Sequence, residues 1–327
     1  MISCPLCAYI LHPNTNRDIF NPYGIEYKLY HCPECSLEFW YPPKIIDEYY
    51  SNEKFSGYGS YHMGKRLLPW YCKHPFSVLK KRKINGDLLD IGCGDGIFLK
   101  KLQCLNLNLY GIDLDRESVA CANEVYGIKS VYAARLEIFV STVFQKFDVV
   151  TFFEVVEHQE NLDQFLIDVK KLLKANGLIF GSVPNRERLF HTLKQRRGDG
   201  DFPPHHFFWF SREVIAFLLH KHGFTNISFY SSMPPLSEYA VYLETALLGW
   251  LTCHIKKIIK KKFSSSMHNY IEANQRRWYQ HTIFISAIHS IRVLVFLPLA
   301  IFLWPLMKRR GGMSINFEAT LPITQKT

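Results

Sequence analysis

The stretch LLDIGCGDGIFLKKL, residues 88–102, constrains the chain more than any other. A short apolar run breaks at three glycines, Gly92, Gly94 and Gly96, and resumes with apolar residues at helical spacing. Strand, glycine turn and helix in that order form a cradle where a ligand can approach bare backbone, because glycine has no Cβ and accepts positive φ. The turn is not a dinucleotide fingerprint, whose third glycine would stand at Ile97, nor a P-loop, which needs Gly-Lys-Ser/Thr. Asp90, at the mouth of the strand, would repel a pyrophosphate and attract an ammonium group. A second acid, Asp113 in YGIDLD, ends the next apolar run about twenty residues on and suits two hydrogen bonds to a ribose diol. The predicted ligand has a ribose, a nucleobase and a cationic group, and no phosphates. S-adenosylmethionine (SAM) has that chemistry.

Around the turn, strands and helices alternate. LLDIG, LNLYGIDL, FDVVTFF and GLIFGSV are short continuous apolar runs, as expected of parallel strands buried on both faces. Between them, Leu162, Phe165, Leu166, Val169, Leu172 and Leu173 share one helical face, predicted to close at ANG with Gly177 as C-cap. The fold class is α/β, doubly wound, with its ligand at the carboxyl ends of the strands. In order and spacing, LLDIGCGDG, YGIDLD, FDVVTFFEVVEH and LLKANGLIFGSVPN, across roughly residues 75–232, resemble the class I SAM-dependent methyltransferases. The resemblance implies a Rossmann-like seven-stranded sheet. It places Asp90, Gly92 and Gly94, with Gly96 in the same turn, along the methionyl part of the cofactor. It puts Asp113 on the ribose, Leu114 against the adenine, and Phe153 and Glu154 on the cofactor side of the cleft. AARLE (residues 133–137) departs from the pattern: Arg135 stands where relatives often carry an acidic or small residue near the adenine amine.

The sulfonium is already an activated electrophile, so the protein must align donor and acceptor, exclude water and take a proton from a weakly acidic acceptor. Two segments offer the groups. EVVEH carries Glu154, Glu157 and His158 at i, i+3 and i+4, predicted on one face of a helix start. PPHHFFWFS carries His205 and His206 in a loop after the fifth strand. His158, Glu157, His205 and His206 are the catalytic candidates, either segment supplying a general base. Some ubiquinone-pathway and RNA-end methyltransferases have a similar E-x-x-E-H set plus a later histidine that binds a divalent metal. By that resemblance Glu154, Glu157, His158 and one of His205/His206 would hold such an ion; without one, the pair orders the site and caps the helix. Phe207, Phe208, Trp209 and Phe210 either line an acceptor pocket or cover the sheet edge, and Ser211 is predicted to cap a helix running to Gly223.

Ahead of the core, CPLC (Cys4, Cys7) and CPEC (Cys32, Cys35) are separated by 24 residues rich in turn formers. Four thiolates on two tight knuckles are the tetrahedral soft-ligand set of a structural Zn²⁺ site. So little apolar material lies between them that the segment needs the metal to fold. Nine cysteines, with no basic-then-apolar leader in MISCPLCAYI, predict a reducing, cytoplasmic setting.

The formal net charge of +10 is confined to one segment: residues 251–310 hold eleven Lys/Arg and one acid, Glu272, leaving the rest neutral. There LETALLGWLTCHIKKIIKKKF reads as a basic amphipathic helix, and Val293–Met307 is an uncharged run too short for the ~20 residues of a bilayer span. GMSINFEATL (312–321) reads as the last strand of the core sheet, so the basic apolar segment is an insertion. Peripheral contact with an anionic membrane surface, a helical subdomain and a dimer contact all fit it. The predicted organisation is a zinc ribbon (1–41), a linker or lid (42–74, with a short helix at 44–51), the SAM-binding core (75–235), the helical insertion (236–311), and a last strand with tail (312–327).

Ribbon, core and insertion together resemble bacterial methyltransferases of cell-surface polysaccharide or sugar pathways. That resemblance implies O-methylation of a saccharide or lipid-linked acceptor in the cytoplasm, at the inner face of the membrane, with a quinone-like lipid as second choice. An RNA-modifying enzyme, a sugar C-methyltransferase and a non-catalytic SAM-binding adaptor are the rivals. Nucleic acid is disfavoured because the basic residues are interleaved with aliphatic runs rather than stacking aromatics.

Overall fold

The computed structural model describes residues 2–11, 16–20, 24–46, 64, 66–191, 200–248 and 275–323, the side chains of 16–18 and 275–289 excepted. Most of the predicted helix at 44–51 and the tyrosine- and glycine-rich run after it lie outside these residues. The chain divides into two compact units, Met1–Arg186 with Pro203–Ser232 and Met313–Thr327, and Glu187–Phe202 with Met233–Gly312.

The first unit is built on a seven-stranded sheet of β6 (Gly86–Ile91), β7 (Leu107–Asp113), β8 (Val131–Ala133), β9 (Phe147–Phe153), β10 (Leu173–Pro184), β12 (Thr225–Ser232) and β13 (Ser314–Thr320). Its order is β12-β13-β10-β9-β6-β7-β8. All neighbouring pairs are parallel except those of β13, which is antiparallel to both β10 and β12. The strands at its centre read as continuous apolar runs because both faces are covered. In β9, Phe147, Val149, Val150, Thr151, Phe152 and Phe153 are all buried. Gly181 in β10 shows how tightly that layer closes: a Cβ there would lie 2.3 Å from Phe317 Cζ and 2.8 Å from Phe152 Cε2. Gly181→Ala is therefore expected to destabilise the protein by about 3 kcal/mol, as overpacking of a filled core does. Urea unfolding of the two proteins measures this.

The helix Leu162–Leu172 buries the predicted face, and its first turn is capped by Asn161, whose side chain accepts from Gln164 N at 3.0 Å. It does not run on to Gly177. Leu173 is already extended (φ −83°, ψ 142°), buried and paired with Phe147 of β9, so strand pairing overrides the glycine signal. The left-handed position falls on Asn176 (φ 59°), inside an irregularity of β10 between Leu173 and Leu178. Ser211 does cap the helix Arg212–Lys221, accepting from Val214 N at 3.4 Å, and Gly223 (φ 80°) follows it.

The N-terminal segment forms a hairpin of β1 (Ile2–Ser3) and β2 (Ile10–Leu11) and a sheet of β3 (Asn16–Phe20), β4 (Tyr27–His31) and β5 (Glu38–Tyr41). That sheet takes a fourth strand from the core. β11 (Phe208–Trp209) pairs antiparallel with β5, Phe208 opposite Phe39 and Trp209 opposite Glu38. Trp40 N adds a hydrogen bond to Phe207 O at 2.8 Å, and Trp40 and Trp209 meet edge to face at 5.6 Å. The aromatic run thus stitches ribbon to core. Two cations complete the joint: Lys221 Nζ donates to Leu6 O (2.7 Å) and to Asp163, and the Arg186 guanidinium donates to Ser36 O.

In the second unit a helix over 236–248 accompanies the long helix Gln275–Arg309. Tyr239 packs on Trp304 (ring centroids 5.7 Å), and Arg292 Nε donates to Glu244 Oε2 at 3.1 Å. Within this unit Tyr242 donates to Leu189 O and Arg188 pairs with Asp201, so the insertion includes residues 187–191 and 200–202, which the sequence assigns to the core.

Candidate active site

A cleft of about 280 Å³ opens at the carboxyl ends of β6, β7 and β9. The glycine turn forms one wall. Gly92 N and Cys93 N donate to Ile112 O (2.8 and 3.1 Å), which clamps the turn onto β7. Gly92 has φ 70°, and a Cβ there would lie 2.5 Å from Val155 Cγ2, so position and conformation both require glycine. Gly94 N donates to Asp113 Oδ2 at 2.7 Å. Gly96 lies off the cleft wall: its absent Cβ would meet Ala122 Cβ at 2.9 Å, so its smallness serves close packing of turn on helix.

Asp90 is buried and accepts from Thr151 Oγ1 at 2.6 Å. Burial pushes its carboxyl up to about 7, against the pull of that hydroxyl. Burial also raises Asp113, opposed by the N–H groups of Asp115 and Gly94. Both carboxylates border the cleft, together with Leu114 and Phe153. Two residues absent from the sequence prediction join them: Arg66 borders the cleft and pairs with buried Asp95 at 3.3 Å. GDG displayed Asp95 plainly, but no local pattern marked Arg66, which lies in the predicted linker.

EVVEH is not a helix start. Glu154 sits at φ 56°, and only Val156–His158 turn, as a single 3₁₀ step. A positive φ is costly for a side-chain-bearing residue and concentrates at functional sites. Here it is held by Glu154 N to Ser182 O (2.9 Å) and by Ser182 Oγ donating to Glu154 Oε1 (2.8 Å). The i, i+3, i+4 face is consequently lost. Glu154 and His158 border the cleft, whereas Glu157 is wholly buried behind it, its Oε1 3.9 Å from His158 Nε2 and 3.8 Å from His206 Nε2.

The structure brings His158, His205 and His206 together on the cleft wall, ring centroids 4.3–4.9 Å apart. His158 Nδ1 lies 2.7 Å from His205 O; a carbonyl can only accept, so Nδ1 carries the proton and Nε2 is the basic nitrogen. Burial lowers His158 to about 4, so the imidazole is neutral at physiological pH. Each ring offers a ligand nitrogen within 4.8 Å of the other two. Three imidazoles beside a buried carboxylate suit a divalent ion or the hydroxyl of an acceptor. The donors gathered within 4.8 Å of one another here are His158, His205 and His206; Glu154, whose Oε1 accepts from Ser182, is not among them.

The four ribbon cysteines also converge. Cys4 and Cys35, and likewise Cys7 and Cys32, have Sγ atoms 3.5 Å apart, all four within 4.8 Å. Zn–S bonds of about 2.3 Å imply tetrahedral edges of about 3.8 Å, so the donors fit the ion. The knuckles repeat each other: Ala8 N donates to Cys4 O and Ser36 N to Cys32 O (both 2.9 Å), with Ala8 at φ 62° and Ser36 at φ 60°. Contact with Cys35 draws the Cys4 thiol down to about 5 and pushes Cys35 up.

A seven-stranded, mostly parallel sheet with one antiparallel strand beside the last, and a glycine-turn cleft at its centre, define the class I SAM-dependent methyltransferase fold. Residues 67–229 match the family model described as a methyltransferase domain. The chain is 25% identical over 159 residues to a ubiquinone biosynthesis O-methyltransferase of Bartonella bacilliformis, covering 48% of this chain and 62% of the relative. It is 27% identical over 174 residues to a probable SAM-dependent methyltransferase of Mycobacterium tuberculosis, covering 50% and 61%. The chain thus spans less than two thirds of the length of these relatives. Phosphoethanolamine N-methyltransferase 2 of Haemonchus contortus, solved with SAM, shares the fold at TM-score 0.50 and 15% identity, over 87% of this chain and 62% of that one. Residues 67–229 are therefore a class I SAM-dependent methyltransferase domain.

Proposed function

We propose that the protein transfers the methyl group of SAM to an oxygen of a small or lipid-linked saccharide. The observation that carries this reading is the convergence of His158, His205 and His206 on the cleft that Asp90 and Asp113 border. A hydroxyl acceptor is a poor nucleophile until its proton is taken up or its oxygen is bound to a cation, and imidazoles on the cleft wall supply either. The ubiquinone O-methyltransferase relative supports oxygen as the methylated atom.

Asp90 and Asp113 bind the cationic and ribose parts of SAM; Phe153 and Leu114 provide its apolar contacts. His158 Nε2 receives the acceptor proton or orients its oxygen, with Glu157 behind it stabilising positive charge on His158 or His206. A divalent ion at the three histidines would polarise the acceptor oxygen. Zn²⁺ held by Cys4, Cys7, Cys32 and Cys35 would fix the ribbon.

Incubating the protein with methyl-labelled SAM and cell fractions should place label in the saccharide or lipid-linked fraction; label in RNA overturns the acceptor class. His158→Ala is expected to lower the rate by about 10²–10⁴-fold while leaving SAM affinity within about threefold. An unchanged rate removes His158 from the chemistry.

A further inference from the structure

The long helix of the second unit presents its apolar residues on the wrong side for a helix surrounded by water. Ile291, Leu294, Val295, Ile301, Phe302 and Leu306 recur at helical spacing and are between 43% and 78% exposed. Ala300 and Met307, on the opposite face, are fully buried. The packed side is thus already filled, and the outward side is apolar as well. The helix segment Ser290–Arg309 is longer than the uncharged run that the sequence shows and is long and apolar enough, by length and composition, to cross a membrane; its mean hydropathy is 2.0 and only 11% of it is buried. Between residues 291 and 307 Arg292 is the one charged residue, and it is turned to Glu244 on the neighbouring helix. An exposed apolar surface of this extent needs a partner.

We propose that this stripe lies in a membrane interface, with its side chains among the acyl chains and the cations at the helix end on anionic headgroups. Charge selects lipid over the other occupants. The stripe runs directly into Lys308, Arg309 and Arg310, all exposed, within a segment holding eleven basic residues and one acid. The same stripe on a second copy offers these cations no acid, since residues 273–317 hold none, and in a parallel pair it would bring two such clusters together. An anionic bilayer offers an apolar layer bordered by negative charge, the complement of this pattern. The filled opposite face makes the contact one-sided. The inference does not depend on the methyl acceptor.

The full-length protein should co-sediment with phosphatidylcholine vesicles containing phosphatidylglycerol, and less with phosphatidylcholine alone. Replacing Leu294 and Phe302 together by Asp should reduce binding to the anionic vesicles more than about tenfold, since a charge among acyl chains is strongly unfavourable. The same double charge at Ile138 and Phe144, exposed apolar positions of the first unit, should leave binding unchanged and controls for net charge. Retention in the supernatant with both vesicle types overturns the proposal. So does vesicle binding that survives the Leu294/Phe302 change, or a vesicle-independent dimer that the change converts to monomer.

Discussion

Asp90→Asn is expected to weaken SAM binding by between about tenfold and a hundredfold at pH 8, the worth of a charge-assisted contact in a buried site. The same change should stabilise the ligand-free protein at that pH. Both outcomes follow from the buried carboxyl beside Thr151, whose pKa is raised from 3.8 to about 7. Because the folded state holds this proton more tightly than the unfolded chain, the group's contribution to stability is fully present below pH 3.8. It is lost as pH rises through about 7. The loss, on the order of 4 kcal/mol at most, is the cost of forcing a charge into the empty cleft, and asparagine avoids it. A cationic ligand reverses the balance, since it binds the ionised form. Wild-type affinity for SAM should therefore rise about tenfold per pH unit below 7 and level off above it, while Asp90→Asn binds weakly and without that slope. Calorimetric titration at pH 6 and pH 8, with thermal melts of the ligand-free proteins, tests both halves. Equal affinity of variant and wild type at pH 8 would falsify the cofactor geometry.

Cys32→Ser should cost activity far from the thiol itself. A four-thiolate set holding Zn²⁺ would lose the ion with one thiolate removed, and with it the clamp that joins the two cysteine knuckles. The ribbon edge β5 pairs with β11, and the residue before β11, Phe207, donates its N–H to Glu157 O at 2.8 Å. His205 and His206 immediately precede that link. Loosening the ribbon thus frees the loop that carries two of the three histidines, whereas the glycine turn, Asp90 and Asp113 rest on other strands. The expected result is a fall in turnover of about a hundredfold or more with SAM affinity within about threefold, accompanied by loss of bound zinc. Full turnover in a zinc-free variant would mean that β11 holds its place unaided.

What could be read from local sequence was read there because each signal is local in its physics. Strands covered on both faces are apolar along their length, so β9 and the buried ends of β6 and β10 stand out as short uninterrupted runs. A turn that must take positive φ beneath Val155 admits glycine at residue 92 and little else. An acid in or at the end of an apolar strand is legible at once, which made Asp90 and Asp113 visible, and both border the cleft. The two knuckles likewise carry their geometry within five residues each.

Other features depended on residues distant in the chain. Phe208 finds Phe39 across 169 positions, and no periodicity in HHFFWF foretells that pairing. Arg66 reaches Asp95 from a segment without pattern. EVVEH has the spacing of a helix face, but Ser182 on the neighbouring strand holds Glu154 at positive φ and donates to its Oε1. Gly177 had the right composition for a cap, yet Leu173 gained more by pairing with β9. By itself, then, the sequence determined the central strands, the glycine turn with its two neighbouring acids and the two cysteine knuckles, all set by short-range sterics and side-chain chemistry. Only the tertiary structure decided which histidines share the cleft and what joins ribbon to core, because those depend on burial and hydrogen-bond competition among strands brought together by folding.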